Sequence, residues 1–245
     1  GIRDCWVTRV QTCALPISPG HAPYRRHASD QYMVSPGGLY DLKYLSPIGR
    51  VVPSDSWREA KVCYRTWAFY GPWFTGYMGA VNFSMEVVET TKVNSAANFL
   101  YPPALETAIQ GFITAYHGHE LYDEVRLTPY YAGPINWGPV EGLGVPAVKF
   151  DIEECFSFGR RYRYVLLPVS ANRMLVMRFA YRQSGSGNWE EIDAKVSPQP
   201  MIDLIQNIIS SIRVLPTPEL QSEIDKAKAA CQGDYSVSTE CQPFK

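Results

Sequence analysis

Charge is scarce in this chain and nearly cancels: 23 Lys and Arg stand against 24 Asp and Glu, for a net charge of −1. That balance leaves no basic footprint for a nucleic acid, which is excluded as a partner. No run of about 18 apolar residues occurs, so the visible chain carries no transmembrane helix. Nucleophile motifs are also missing. There is no G-x-S-x-G or S-x-x-K, no Cys beside a His, and no C-x-x-C pair. The stretch GLGVPA at 142–147 has too few glycines to cradle a phosphate. Nothing in the sequence calls for a cofactor.

The opening residues, GIRDCWVTRVQTCALPIS, do not read as protein. Arg3, Asp4, Arg9, Gln11 and Thr12 interrupt any apolar core that a secretory signal would need. Residues 1–17 resemble instead a translated sequencing-library adapter: Gly-Ile-Arg-Asp, two index-coded residues, then Val-Thr-Gly-Val-Gln-Thr-Cys-Ala-Leu-Pro-Ile. Arg9 is the single departure, standing where the adapter encodes Gly. The expectation is that residues 1–18 are non-native and that the true N-terminus, with any export signal, is missing.

Four cysteines remain once Cys5 and Cys13 are set aside: Cys63, Cys155, Cys231 and Cys241. An even number with a close terminal pair suits an oxidising compartment. A Cys231–Cys241 disulfide is expected to close the polar loop between them, with Cys63–Cys155 the weaker candidate. The implied location is periplasmic or secreted.

Apolar residues make up 46% of the chain and aromatics 13%, enough for a packed core. Residues 19–56, rich in Pro, Gly, Ser and Tyr, read as an irregular N-terminal arm. From Trp57 the pattern turns to strands: REAKVCYRTWAFY and GYMGAVNFSMEVVETT, joined by a hairpin at GPWFTG. YPPALETAIQGFITAYHGHE then places Leu105, Ala108, Ile109, Phe112, Ile113 and Tyr116 at helical spacing, with Pro102 and Pro103 in the first turn and Gly118 as the stop. Four strand-like segments follow: ELYDEVRLTPYY, VPAVKFDIEECFSF, RRYRYVLLPV and RMLVMRFAYRQ. Their alternation suggests an antiparallel sheet with one wet face. SGSGNW reads as a loop, SPQPMIDLIQNIISSIRVL as an apolar-faced helix, and TPELQSEIDKAKAAC as a polar surface helix with Thr217 as its N-cap.

The predicted fold is α+β, an antiparallel sheet of about six strands packed on helices in the order β-β-α-β-β-β-β-α. Residues 57–215 form the single α+β domain, and 216–245 a C-terminal helix with a cysteine-bounded tail. This element order, closing on a helix such as LIQNIISSI, resembles that of the PsbP-like family of exported α/β proteins. The resemblance covers roughly residues 57–215, rests on element order, and implies a binding or accessory role; no site residue comes with it.

Three groups of side chains are candidates for chemistry. His117 and His119, with Glu120 and Asp123 or Glu124 nearby, are a weak metal candidate; two histidines at a helix C-terminus are equally what the helix dipole favours. Asp123, Glu124, Asp151, Glu153 and Glu154 could supply a glycosidase-like carboxylate pair, although Arg161 and Arg163 are the expected cross-strand partners of Asp151 and Glu153. Trp67, Phe69, Tyr70, Trp73, Phe74 and Tyr77 crowd the first hairpin and could stack on a ligand or anchor a partner, unless the arm covers them with Tyr40 and Tyr44. The expected function is an exported, non-enzymatic binding or accessory protein, acting on an unknown protein or small ligand through a sheet edge and the aromatic hairpin. The alternative is a hydrolase.

Overall fold

In a computed structural model, residues 45–48, 54–71, 76–91, 98–156 and 159–241 are described. Residues 1–18, the arm up to residue 44, and Trp73 and Phe74 lie outside them. The elements are β1 (Ser46–Pro47), β2 (Trp57–Tyr70), β3 (Tyr77–Thr90), α1 (Pro102–His117), β4 (Leu121–Asp123), β5 (Thr128–Pro129), β6 (Tyr131–Pro139), β7 (Val148–Glu154), β8 (Arg161–Pro168), β9 (Arg173–Gln183), α2 (Trp189–Lys195), α3 (Gln199–Ser210) and α4 (Pro218–Ala230).

A seven-stranded antiparallel sheet, ordered β1-β2-β3-β9-β8-β7-β6, forms the centre, and β4 and β5 make a small two-stranded sheet beside it. The α+β class follows directly. Period-two alternation sends one residue set to each face, and both faces are apolar. Val81, Phe83, Val165, Leu167, Leu175, Met177 and Phe179 pack against α3 and α4. Val88, Val148, Phe150, Tyr162, Tyr164, Leu166 and Val176 pack against α1. The expectation of one wet face therefore fails. Along β7, β8 and β9 the arginines and carboxylates that suggested solvent are mostly enclosed and paired with each other.

Helix α1 forms as its spacing requires, with prolines in the first turn and Leu105, Ala108, Ile109 and Phe112 buried. Trp57 of β2 stacks on Phe99 and meets Phe112 edge-on, centring this face. Helix α3 buries Met201, Leu204, Ile205, Ile208 and Ile209. Gly79 interrupts the apolar stripe of β3 because Met201 occupies its side-chain position. It has φ of +148°, and a Cβ there would lie 2.3 Å from the Met201 methyl and 2.4 Å from the Arg182 carbonyl.

Helix α4 is capped by the Thr217 hydroxyl, which accepts from Leu220 N–H, as its sequence implies. It is not a loose surface helix, for Leu220, Ile224 and Ala227 enter the core. The tail then passes from one face to the other, with Tyr235 beside the α3–α4 cluster and Val237 in the α1 cluster. Glu106 of α1 fixes it by accepting from Ser238 N–H at 2.5 Å and Ser238 Oγ at 2.8 Å. The predicted disulfides are absent: Cys63, Cys155, Cys231 and Cys241 are all free thiols. Packing and the Glu106 contacts hold the tail in their place. Cys241 comes to rest against Gln110 Nε2, 3.7 Å from its sulfur.

Three elements escaped the sequence reading. Strand β1 lies within the arm read as irregular, yet Ser46 and Pro47 pair with Glu59 and Arg58 of β2, and Ile48 enters the α1-side core. Strand β6 is the edge strand, and ELYDEVRLTPYY supplies the small β4–β5 hairpin before it. Helix α2 is only seven residues long and starts on a capping box between Asn188 and Glu191.

Candidate functional site

An aromatic ladder crosses three strands on the α1 face: Trp137 stacks on Phe150 at 5.4 Å, and Phe150 on Tyr164 at 5.1 Å. It ends at His117, the last residue of α1, whose Nε2 shares a 2.8 Å hydrogen bond with the Tyr164 hydroxyl. Burial pushes the Tyr164 hydroxyl well above its ordinary pKa, so it stays neutral.

Behind Tyr164 lies an enclosed charge network. Arg178 donates to Glu86 at 3.3 Å, to Ser84 Oγ at 3.3 Å, and to the Tyr116 hydroxyl of α1. Its guanidinium also sits over the Tyr116 ring, 5.2 Å from the centroid. Glu59 completes the group with one carboxylate oxygen, Oε2, buried and without a hydrogen-bond partner. Burial, followed by the neighbouring Glu86 charge, raises the Glu59 carboxyl to about 7.

In front of His117 a groove of ≈ 290 Å³ opens between the end of α1 and the β6 edge. Its apolar walls are Ile113, Leu121, Pro129, Pro134 and Ile152; its polar groups are Gln110, His117, Glu120, Tyr131 and Cys241. Tyr131 meets His117 edge-to-face at 4.2 Å. Gly133, with φ of +141°, lets β6 close over β7, since a Cβ would lie 2.8 Å from the Asp151 carbonyl. The β6 edge is irregular: Pro134 and Pro139 lack donors, and its pairing with β7 shifts register on either side of Ile135. A partner strand would find few backbone groups to pair with there, so this edge offers a pocket in place of a ladder.

The metal candidate does not form. His117 points into the core while His119 is exposed, and among the described residues no three His, Cys, Asp or Glu side chains gather around a common point. The carboxylates are engaged elsewhere. Arg163 holds Asp151 through two bonds of 2.7 and 2.9 Å, with Asn136 donating a third at 2.9 Å. Arg161 lies directly across from Glu153, 3.6 Å away, and binds Asp193 with both terminal nitrogens while covering the Trp189 ring. Both cross-strand pairs match the sequence reading. Glu154 is buried and accepts from Tyr162 at 2.5 Å and from Arg160 N–H at 2.7 Å. Asp123 accepts from the N–H groups of Val125 and Arg126 in an exposed turn that also holds Glu124.

The aromatic hairpin is not one surface. Phe69 is buried and Trp67 packs against the α3–α4 cluster, tilted on Phe83. Tyr70 and Tyr77, paired across the hairpin with rings 5.9 Å apart, are the exposed members. Trp73 and Phe74 lie outside the described residues.

The free thiols give a direct check. Burial lifts the Cys63 thiol to about 11, whereas Cys155 is exposed. Only the thiolate reacts. Under denaturing, non-reducing conditions Cys63, Cys155, Cys231 and Cys241 should all take up a thiol reagent; in the folded protein at pH 8, Cys155 should react at least tenfold faster than Cys63. An unreactive pair after denaturation would mean a disulfide.

No family model, no curated protein and no solved structure matches the chain. The site must speak through its own residues. Among the described residues, no helix is long and apolar enough to cross a membrane.

Proposed function

We propose that this chain is a non-enzymatic binding protein that takes a small ligand in the groove between α1 and the β6 edge of the sheet. The observation behind this reading is the pairing of a concave apolar pocket with a few converging polar groups, the usual composition of a small-molecule site. A volume of ≈ 290 Å³ suits a small occupant; at about 30 Å³ per water-sized group it holds roughly ten non-hydrogen atoms. The accessory role implied by the PsbP-like element order is compatible with such a site. The hydrolase reading has less support, because Asp151, Glu153 and Glu154 each already serve a partner. Export belongs to the proposal too, although the free thiols withdraw one reason for it. Fractionating cells that express the native gene tests it, and recovery in the cytosol would end it.

Thr114 sits on the exposed side of α1 and lines the groove. Thr114→Trp should fill the pocket without entering the core. In a ligand-observed NMR screen of fragments of about ten heavy atoms, binders of the native protein should lose at least tenfold in affinity, with the melting temperature within about 2 °C. Equal binding by both proteins would place the ligand site elsewhere.

A further inference from the structure

We propose that two copies of this chain associate about a two-fold axis, with the tip of each β4–β5 hairpin seated in the groove of the other copy. Five of the eight large apolar side chains exposed among the described residues belong to this hairpin or to the strand that follows it: Leu121, Tyr122, Val125, Leu127 and Ile135. Val125 is 95% exposed and Leu127 71%. Scaling whole residues of about 150–210 Å² by their exposures gives roughly 500 Å² of apolar surface, close to the largest patch a monomer usually shows. With the polar share usual for an interface, that corresponds to about 800 Å² per partner, the size of a standard protein–protein contact. Leu127 also lies at φ +54°, in the left-handed region that glycine or asparagine fills more readily. A leucine there is strained and buries little within its own fold.

A second copy suits this surface better than another occupant. Knob and groove adjoin, since Leu121 and Pro129 at the hairpin base line the groove, and one two-fold axis therefore makes both contacts at once. Their sizes agree: at ~30 Å³ per carbon the Val125 and Leu127 side chains need about 210 Å³, against ≈ 290 Å³ in the groove. The net charge of −1 sets up no long-range repulsion between copies. The tip carries both signs, so Arg126 of one copy can oppose Asp123 and Glu124 of the other at the rim of the contact. A lipid surface is less suited, because one arginine beside two acids is not the basic cluster that anionic membranes draw. The hairpin and a small ligand then compete for one groove, and self-association closes the site.

Sedimentation equilibrium of the full chain, kept reduced because its described thiols are free, tests this. The mass should rise from 27.6 kDa toward twice that value as the concentration climbs to about 100 μM. Leu127→Asn should weaken the dimer at least tenfold. Melted where the native protein is monomeric, this variant should hold or raise the melting temperature, whereas a leucine needed for folding would lower it. Thr114→Trp should weaken the dimer by a similar factor, and a fragment bound in the groove should dissociate it. A chain that stays monomeric throughout would overturn the inference and leave the ligand groove to the fragment screen. A dimer unmoved by Leu127→Asn or by Thr114→Trp would place the contact elsewhere and overturn it too, and growth beyond a dimer would overturn the two-fold arrangement. A dimer that needs both residues while no fragment binds would support the inference and overturn the small-ligand reading.

Discussion

Arg178→Met should lower the unfolding free energy by about 3–5 kcal/mol, the largest effect expected of a single substitution outside the apolar core. The cause is not the lost attraction alone. Glu86 is 2% exposed in its side chain, and the Arg178 guanidinium is the cation that touches it. Removing that guanidinium leaves the Glu86 charge buried without compensation and takes away a donor from Ser84 and Tyr116. Urea unfolding should show a lower midpoint with an unchanged slope, and heating a drop of roughly 10 °C for a chain of this size. Arg178→Lys keeps the charge but replaces the wide planar fork, whose Nε, Nη1 and Nη2 each reach a different partner, by a compact ammonium, so it should fall between. The double variant Arg178→Met with Glu86→Leu should recover most of the loss, because an apolar pair of similar bulk carries no stranded charge. A cost below about 1 kcal/mol for Arg178→Met, the range of an exposed pair, would mean that the network does not hold α1 to the sheet.

How the sequence presents Arg178 shows where its legibility stops. On β9 it alternates with Leu175, Met177, Phe179 and Tyr181, so it lies on the other face of the strand, and that much is readable. Whether that face meets water depends on α1, which packs there from a distant part of the chain. Asp151–Arg163 and Glu153–Arg161 were readable because strand alternation and a short hairpin fix cross-strand neighbours. Strand β6 was not, since Gly133, Pro134, Gly138 and Pro139 spell a loop by composition and only an edge position tolerates them. Helix α2 was too short to show a period; the Asn188-x-x-Glu191 capping box was the signal available. The groove was the least legible feature. It joins Gln110 and His117, Tyr131 and Cys241 from three parts of the chain, and the cysteine arrives only because the tail crosses between the two faces.

The second large effect depends on pH. Glu59 lies beside the enclosed Glu86 and Arg178, with the exposed Lys61 near, and its carboxyl is raised from 4.5 to about 7, chiefly by burial and next by the Glu86 charge, against the opposing pull of Arg178 and Lys61. Between those two values the folded protein holds a proton that the unfolded chain has released. Linkage then makes stability fall as pH rises through this window: the contribution is fully present below 4.5 and lost above about 7. A shift of that size corresponds to about 3.4 kcal/mol at most, and solvent screening of this incompletely buried carboxyl brings it to about 2–3 kcal/mol. Glu59→Gln keeps the shape of the protonated form and cannot ionise. It should therefore stabilise the fold by about 2–3 kcal/mol at about pH 8, change little at about pH 4.5, and flatten the fall in unfolding free energy between them. Urea titrations of both proteins at half-unit intervals across that range give the comparison. Parallel curves would mean that Glu59 is ionised in the folded state throughout. Combining Glu59→Gln with Arg178→Met sharpens the reading, because the neutral amide of the Glu59→Gln variant removes one of the two carboxylates that Arg178 offsets. The double variant should then lose less at pH 8 than Arg178→Met does in the native background.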